Sequence, residues 1–367
     1  VGVFTRQDLG FCNTLNARMA DVMTREPITA IPTINEEGAF MIMQQRKIKL
    51  LPLVHEEDGR VAGLYTWKDV KRVVTNTSSS DNVGPDKRLR VAAAIGVVAT
   101  GTDTADRIDA LVENSVDVLV IDMAHGDSRA VVETVRWIKS RYHENVDVVA
   151  GNVSRAKSAS RLFEAGAEGV RVGQGPGSTC TTGLITGTGI PLATALDDCA
   201  RAGQQYGLPI GADGGIQYSG DVVKALALGA SYAVLGRMFA GTDEAPGEVV
   251  SWEGGLWKEY RGMGSLGAMV ARAGSRERYQ QSSVPVDHLV PEGIEGRVPY
   301  AGALKEVVVQ LIGGIQKGMF NAGARTIDKL WEKAIIYRLQ STGRAQAHPK
   351  IVITKQAPNY NIENKNL

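Results

Sequence analysis

VDVLVIDMAHG (116–126), VDVVAGNV (146–153), GVRVGQG (169–175) and PIGADGG (209–215) share one plan: a short apolar run that stops at glycine, aspartate or asparagine. RVAAAIGV (90–97) precedes them and YAVLGRM (232–238) follows. Helical patterns lie between the runs, for example TADRIDALVENS, RAKSASRLFEAGA and SGDVVKALALGA. Short apolar runs alternating with amphipathic helices predict a parallel sheet covered on both faces. Polar residues gathered just past the strand ends predict the C-terminal rim of a (β/α)8 barrel. The expected class is therefore α/β, a TIM barrel of which this chain carries six of eight units. Either the barrel is incomplete here or two units lie upstream of residue 1.

The region before the barrel has a different texture. GVFTRQD (2–8) recurs as GLYTWKD (63–69), with a βαβ-like stretch between the copies, and a repeat of this kind predicts a paired module. Thr5 and Asp8, with Thr66 and Asp69, suit either the phosphate and ribose of a nucleotide or the N-terminal caps of two helices. The polar, turn-rich TNTSSSDNVGPDK (75–87) reads as a linker. The expected organisation is a module over 1–74, a linker over 75–88 and a barrel domain over 89–367. Within the last, 251–300 breaks the alternation and is expected to be a long functional loop with little structure of its own. From 302 a helical stretch, ALKEVVVQLIGGIQKGMFNAGA, leads to a strand-like IVIT.

The 367 residues carry a formal charge of +1, which offers no basic face for nucleic acid. No apolar run reaches the length of a membrane span, and no signal peptide is visible. Three cysteines, Cys12, Cys180 and Cys199, show neither a paired framework nor metal-type spacing, which suits a reducing, cytoplasmic setting.

The rim collects Asp122 and His125, Asn152, the loop GQGPGSTCTTG (173–183), Asp213-Gly214-Gly215, and Gly236-Arg237. Glycines after the last strands of a barrel suit phosphate, to which Gly214, Gly215 and Gly236 offer backbone N–H groups and Arg237 a charge. Asp213 is placed to accept from ribose hydroxyls. Cys180 sits among these donors, where a thiolate would be favoured and could act as a nucleophile. Its plainer role is that of a small buried hydrophobe, the role expected of Cys12 and Cys199. His125 is expected to pack or hydrogen-bond at its strand end. RERY (276–279), taken residue by residue, is a solvated charge run.

GPGSTCTT, ADGGIQYSGDVVKALALGA, AGTDEAPGE, YRGMGSLGAM, RERY, VPEGIEGRVPY and TKQAPNY together resemble the inosine-5′-monophosphate (IMP) dehydrogenase family. The resemblance runs from about Val1 to Tyr360. It implies that the first region is a CBS pair whose first motif is only partly present, and that 251–300 carries a mobile flap. It implies NAD+-dependent oxidation of IMP to xanthosine monophosphate (XMP) in guanine nucleotide synthesis, through a covalent thioimidate on Cys180 with Thr182 beside it. Arg278 and Tyr279 of the flap would activate the water that hydrolyses it. Ser178, Gly215, Gly236 and Tyr260 would hold the phosphate and Asp213 the ribose. Gly262, Met263 and Gly264, with Glu292, would read the purine edge. Asp122, Asn152 and Gly173 would lie at the nicotinamide ribose, and carbonyls of Gly175, Gly177 and Cys180 would bind K+.

Further implied are homotetramers that assemble into octamers, and ATP or GTP bound at Thr5, Asp8, Thr66 and Asp69. Three positions depart from the family pattern: Gly183 stands where arginine is usual, Arg237 where serine is usual, and AQAHPK (345–350) lacks an acidic residue. The alternatives are GMP reductase, which shares the barrel, cysteine and phosphate loop but needs no water-activating dyad, and a nucleotide sensor without catalysis. A sensor has no use for the Cys180, Thr182 and Asp213 set.

Overall fold

The computed structural model describes residues 2–5, 16–74, 82–84, 88–98 and 103–340, with isolated positions at 349, 351, 357 and 359. Asp8, Cys12 and the AQAHPK segment, apart from Pro349, lie outside the described residues. The chain divides into two compact units, Val1–Arg90 and Val91–Leu367.

In the first unit a short helix α1 (Met19–Val22) precedes α2 (Glu36–Arg46), the antiparallel pair β1 (Leu50–Val54) and β2 (Val61–Thr66), and α3 (Trp67–Val74). Asn35 starts α2 by accepting from the Gly38 N–H at 2.9 Å, and Lys47 ends it in the left-handed region. Ala39 and Met43, one turn apart on α2, pack with Leu51 and Val70 into a small core. Ala30 pairs in parallel with Leu53, which closes the βαβ-like turn expected between the repeats.

The second unit is built on a six-stranded sheet. Its strands are β3 (Ala92–Ile95), β4 (Val118–Asp122), β5 (Asp147–Val153), β6 (Gly169–Val172), β7 (Ile210–Asp213) and β8 (Tyr232–Val234). Each is parallel to the next in chain order, so these are six successive βα units of a (β/α)8 barrel. Helices α4 (Asp103–Glu113), α5 (Arg129–Tyr142), α6 (Ala156–Glu164), α7 (Thr182–Thr186), α8 (Leu192–Tyr206), α9 (Ser219–Ala227) and α10 (Arg237–Ala240) connect or follow the strands. Leu119, Ile121, Val148, Val170 and Ile210 of the sheet are buried with Val135 and Ile138 of α5, Leu162 of α6 and Leu196 of α8. Burial on both faces explains why the strands are apolar without alternation.

Residues 251–300 depart from the expected loop. They contribute to a three-stranded antiparallel sheet, ordered β11-β10-β9, of β9 (Val249–Trp252), β10 (Gly255–Arg261) and β11 (Glu295–Pro299). Glu253 and Gly254 both have positive φ, 48° and 76°, which makes the two-residue turn that suits a twisted hairpin. Charged residues on the outer face of β10 mask its alternation in the sequence. Two helices, α11 (Leu266–Ala271) and α12 (Ala273–Arg278), separate β10 from β11. Helices α13 (Leu304–Asn321) and α14 (Ile327–Lys333) follow. Among the described residues no helix is long and apolar enough to cross a membrane.

Leu119 is fully buried near the start of β4. Leu119→Ala should lower unfolding stability by about 2–5 kcal/mol in a denaturant titration, the range for truncating a close-packed core leucine. A loss well under 1 kcal/mol would mean that the sheet is not packed on both faces there.

Candidate functional site

Parallel register decides which side chains meet at the rim. Asp122 of β4 is level with Gly151 of β5, Gly151 with Arg171 of β6, and Arg171 with Gly211 of β7. Arg171, on β6, therefore lies between two aspartates at the C-terminal ends of β4 and β7. Its Nη1 is 2.8 Å from Asp122 Oδ1, an ion pair whose geometry falls short of a hydrogen bond. Its Nη2 donates to Asp213 Oδ2 at 2.6 Å. The Asn152 amide donates to the same Asp213 oxygen at 2.6 Å and to the Gly173 carbonyl at 2.7 Å. Sequence reasoning does not single out Arg171. The one signal there is a charged residue inside GVRV, a strand buried along its whole length.

A second arginine completes the cluster. Arg278, at the end of α12, pairs with Asp122 Oδ2. Its carbonyl accepts from the Ala124 N–H at 3.1 Å, and Glu277 Oε1 accepts from the Val97 N–H at 3.0 Å. RERY is thus not a solvated run: its last two charges bind the ends of β4 and of β3, and Arg276 donates to the Met269 carbonyl at 2.8 Å. Burial pushes the Arg278 guanidinium below the usual arginine range, offset in part by Tyr279. Asn152 Oδ1, Arg171 Nε and Arg278 Nε are buried without a hydrogen-bond partner, so the rim keeps polar groups for a ligand.

The cysteine loop is held by the segment that leads into β11. The Thr179 carbonyl accepts from the Ile294 N–H at 2.9 Å, the Thr181 N–H donates to the Glu292 carbonyl at 2.9 Å, and Cys180 is bridged to Gly293. Cys180 Sγ donates to Thr182 Oγ1 at 3.2 Å, and Thr182 Oγ1 donates to Glu292 Oε2 at 2.7 Å. This chain of donors leads from the thiol to a carboxylate. Glu292 N–H donates to the Gly264 carbonyl at 3.0 Å, and Gly264 admits the Tyr279 ring, which a Cβ there would approach within 2.5 Å. Burial raises the Tyr279 hydroxyl above the usual range; Arg278 lowers it, and Cys180 and Glu292 raise it further.

The glycines expected around phosphate also converge. Gly214 and Gly215 have φ of 86° and 71°, and a Cβ on Gly214 would stand 3.0 Å from the Gly177 nitrogen. A Cβ on Gly236 would stand 2.9 Å from the Tyr260 hydroxyl. Ser178, Gly215, Gly236 and Met263 are exposed, Tyr260 is half-buried and Gly262 is buried. Arg237 is half-buried at the start of α10. Gly175 has φ 95° with open space beside it, and the Gly177 carbonyl accepts from the Cys180 N–H at 3.0 Å, which leaves it a second lone pair. Such carbonyls suit a weakly hydrated monovalent cation. Among the described residues no group of three His, Cys, Asp or Glu side chains could hold a metal ion.

In the first unit Thr66 Oγ1 accepts from the Asp69 N–H at 3.3 Å and donates to its carboxylate at 2.5 Å, as a helix cap does. Thr5 precedes the part of the first repeat that lies outside the described residues. His125 is exposed, with Nδ1 3.5 Å from the Gln174 amide.

A family model described as "IMP dehydrogenase / GMP reductase domain" matches residues 17–350. A curated relative from Aquifex aeolicus, "Inosine-5′-monophosphate dehydrogenase", is 49% identical over 99% of this chain and 73% of its own. Relatives of the same name from Halalkalibacterium halodurans and Staphylococcus aureus are each 47% identical over 99% of this chain. A solved GMP reductase from Trypanosoma brucei, in complex with guanosine 5′-monophosphate, aligns with a TM-score of 0.71 at 34% identity. The alignment covers 96% of this chain and 71% of that one.

Cys199 is fully buried on α8, and burial pushes its thiol up to about 12. At pH 8 only about one part in 10⁴ would be thiolate, the reactive form. Timed iodoacetamide labelling read by peptide mass spectrometry should modify Cys180 well before Cys199. Labelling of Cys199 first would contradict the burial of α8.

Proposed function

The chain belongs to the IMP dehydrogenase / GMP reductase family, and from that membership and the rim geometry we propose that it oxidises IMP to XMP with NAD+. The observation that carries this over a reductase is the placement of the flap dyad. Arg278 is anchored on Asp122, and Tyr279 packs on the loop that strands β10 and β11 share with Cys180. A reductive deamination needs no water-activating pair.

On this reading Ser178, Gly215, Gly236 and Tyr260 bind the phosphate of IMP, Arg237 adds charge and Asp213 takes the ribose. Glu292 has one oxygen on Thr182 and the other free to accept from the purine, beside Gly262, Met263 and Gly264. Cys180 attacks C2 of the purine, and Thr182 passes the thiol proton towards Glu292. A C–S bond forms, and the hydrogen on C2 leaves as hydride. NAD+, when bound, supplies the acceptor for that hydride. Asp122, Asn152 and Gly173 would hold its nicotinamide end, and the unpartnered buried Oδ1 of Asn152 fits a polar ligand there. Arg278 and Tyr279 then hold water against C2, with Arg278 taking its proton. Arginine normally stays protonated, and its burial here works towards the neutral form that a base requires. The C–S bond breaks, XMP leaves and the thiol is regenerated. Gly175, Gly177 and Cys180 would hold K+ on their carbonyls and so shape the loop.

A second reading is favoured by two positions. Gly183 removes a charge from α7, Arg237 adds one near the phosphate, and the solved GMP reductase shares the fold. GMP reduction with NADPH is therefore the rival. The proposal extends to a homotetramer in the cytoplasm that assembles into octamers. It includes a CBS module over 1–74 that binds ATP or GTP, with Thr5, Asp8, Thr66 and Asp69 as contacts.

The full-length protein should raise absorbance at 340 nm with IMP and NAD+. Cys180→Ser should abolish the signal. Arg278→Ala should slow turnover about 10²-fold or more, the range for losing a positioned base, with a purine adduct accumulating on Cys180 by mass spectrometry. A fall in absorbance with GMP and NADPH alone would establish the rival.

A further inference from the structure

Lys258, on β10, is only 2% exposed, although it takes no part in the rim ion pairs. Buried lysines need compensation for the lost hydration of the ammonium. Here the compensation is entirely backbone. Nζ donates to the carbonyls of Thr242 at 2.5 Å and of Asp243 at 3.4 Å, and also to that of Ala245. An ammonium has three donors, and each has a carbonyl.

The three carbonyls belong to one short loop, the segment that leaves α10. That loop is gripped from its other side by the chain after β11. Asp243 N–H donates to the Gly302 carbonyl at 2.9 Å, Ala301 N–H donates to the Gly241 carbonyl at 2.8 Å, and the Tyr300 hydroxyl donates to Asp243 Oδ1 at 2.6 Å. Lys258 thus locks β10 to the loop that carries α10 and, just before it, Gly236-Arg237. Tyr260 is two residues beyond Lys258 and projects from the same face of β10. Its hydroxyl stands against Gly236.

We propose that Lys258 is a positioning residue for the phosphate subsite: its ammonium, caged by the Thr242, Asp243 and Ala245 carbonyls, fixes the distance between Tyr260 and the Gly236-Arg237 turn. The ligand class concerned is a nucleoside monophosphate rather than a nucleoside. This rests on the reading of Gly236 and Tyr260 as phosphate contacts. Lys258 itself touches no substrate atom and acts through the two elements it joins.

The test is steady-state kinetics on the full-length protein with Lys258→Met, which keeps the stem and removes the ammonium. The KM for IMP should rise roughly tenfold or more, since three buried carbonyls lose their donor and the subsite loosens. kcat and the KM for NAD+ should change little, as expected when a ground-state contact of one substrate is weakened. Competition by inosine, which lacks the phosphate, should keep its wild-type Ki. Lys258→Ala should show the same defect, with the KM for IMP recovering as n-propylammonium is added and not with sodium. If Lys258→Met does not fold, that amine titration on Lys258→Ala carries the test.

An unchanged KM for IMP would overturn the proposal, as would equal losses in both KM values, kcat and melting temperature. Tyr260→Phe separates the two readings. If it leaves the KM for IMP unchanged, the phosphate assignment fails. If it raises that KM while Lys258→Met does not, only the role of Lys258 fails.

Discussion

Arg171 between Asp122 and Asp213 is the contact on which the rim depends. Two carboxylates at the ends of β4 and β7, both largely withdrawn from water, would repel one another across the rim. One guanidinium, on β6 between them, hydrogen-bonds Asp213 and forms an ion pair with Asp122, and so links the C-terminal ends of β4, β6 and β7. Removing one partner from such a buried cluster typically costs about 3–5 kcal/mol, because the remaining charge is left uncompensated. The cluster is therefore worth more as a fixed geometry than as a source of stability. Asn152 reads the result, since a single amide nitrogen reaches both Asp213 and the Gly173 carbonyl.

Around this fixed set the cysteine loop is placed by absence of side chains. Gly264 leaves room for Tyr279, Gly214 for the backbone of Gly177, and Gly236 for the Tyr260 hydroxyl. A Cβ at Gly264 or Gly236 would force its tyrosine neighbour to shift, and one at Gly214 would crowd the cysteine loop. Cys180 consequently stands where the barrel rim, the antiparallel sheet and α12 converge, and its Sγ already points its donor at Thr182 and, beyond it, Glu292.

The barrel is legible in the sequence because six apolar runs with polar ends suit few other folds, and the sheet repeats their order. The Cys180 loop and the glycine pair are legible because backbone that must approach a ligand has a distinct composition. Long-range pairing is what escapes a local reading. Arg171 looks like an odd residue in a strand, since nothing local says that aspartates 49 residues before and 42 after will flank it. The antiparallel sheet is hidden because exposed Glu259 and Arg261 break up the alternation that Lys258 and Tyr260 complete. Lys258 is invisible for the same reason: a lysine in WKEYR suggests solvent, and only the fold supplies three carbonyls. RERY, read locally, points to solvent as well, and only the family resemblance marks it as a dyad.

The charge balance at the rim bears on how two chemical steps could share one place. Asp122, Asp213, Arg171 and Arg278 sum to zero, and Asp122 has one oxygen on each arginine. On the proposed reading, a ribose hydroxyl at Asp122 would need an oxygen that Arg278 occupies, so Arg278 and a dinucleotide would compete for the same carboxylate. With Arg278 withdrawn, the remaining three groups carry −1 and favour a cationic neighbour. An oxidised nicotinamide ring is cationic and a reduced one is neutral. On the proposed reaction, the net negative charge around Asp122 would favour the oxidised ring in place of Arg278, an attraction lost once hydride has been transferred. The same excess charge would then favour the return of Arg278 to Asp122 before the hydrolytic step. The order of the two steps would follow from the charge that the rim must balance.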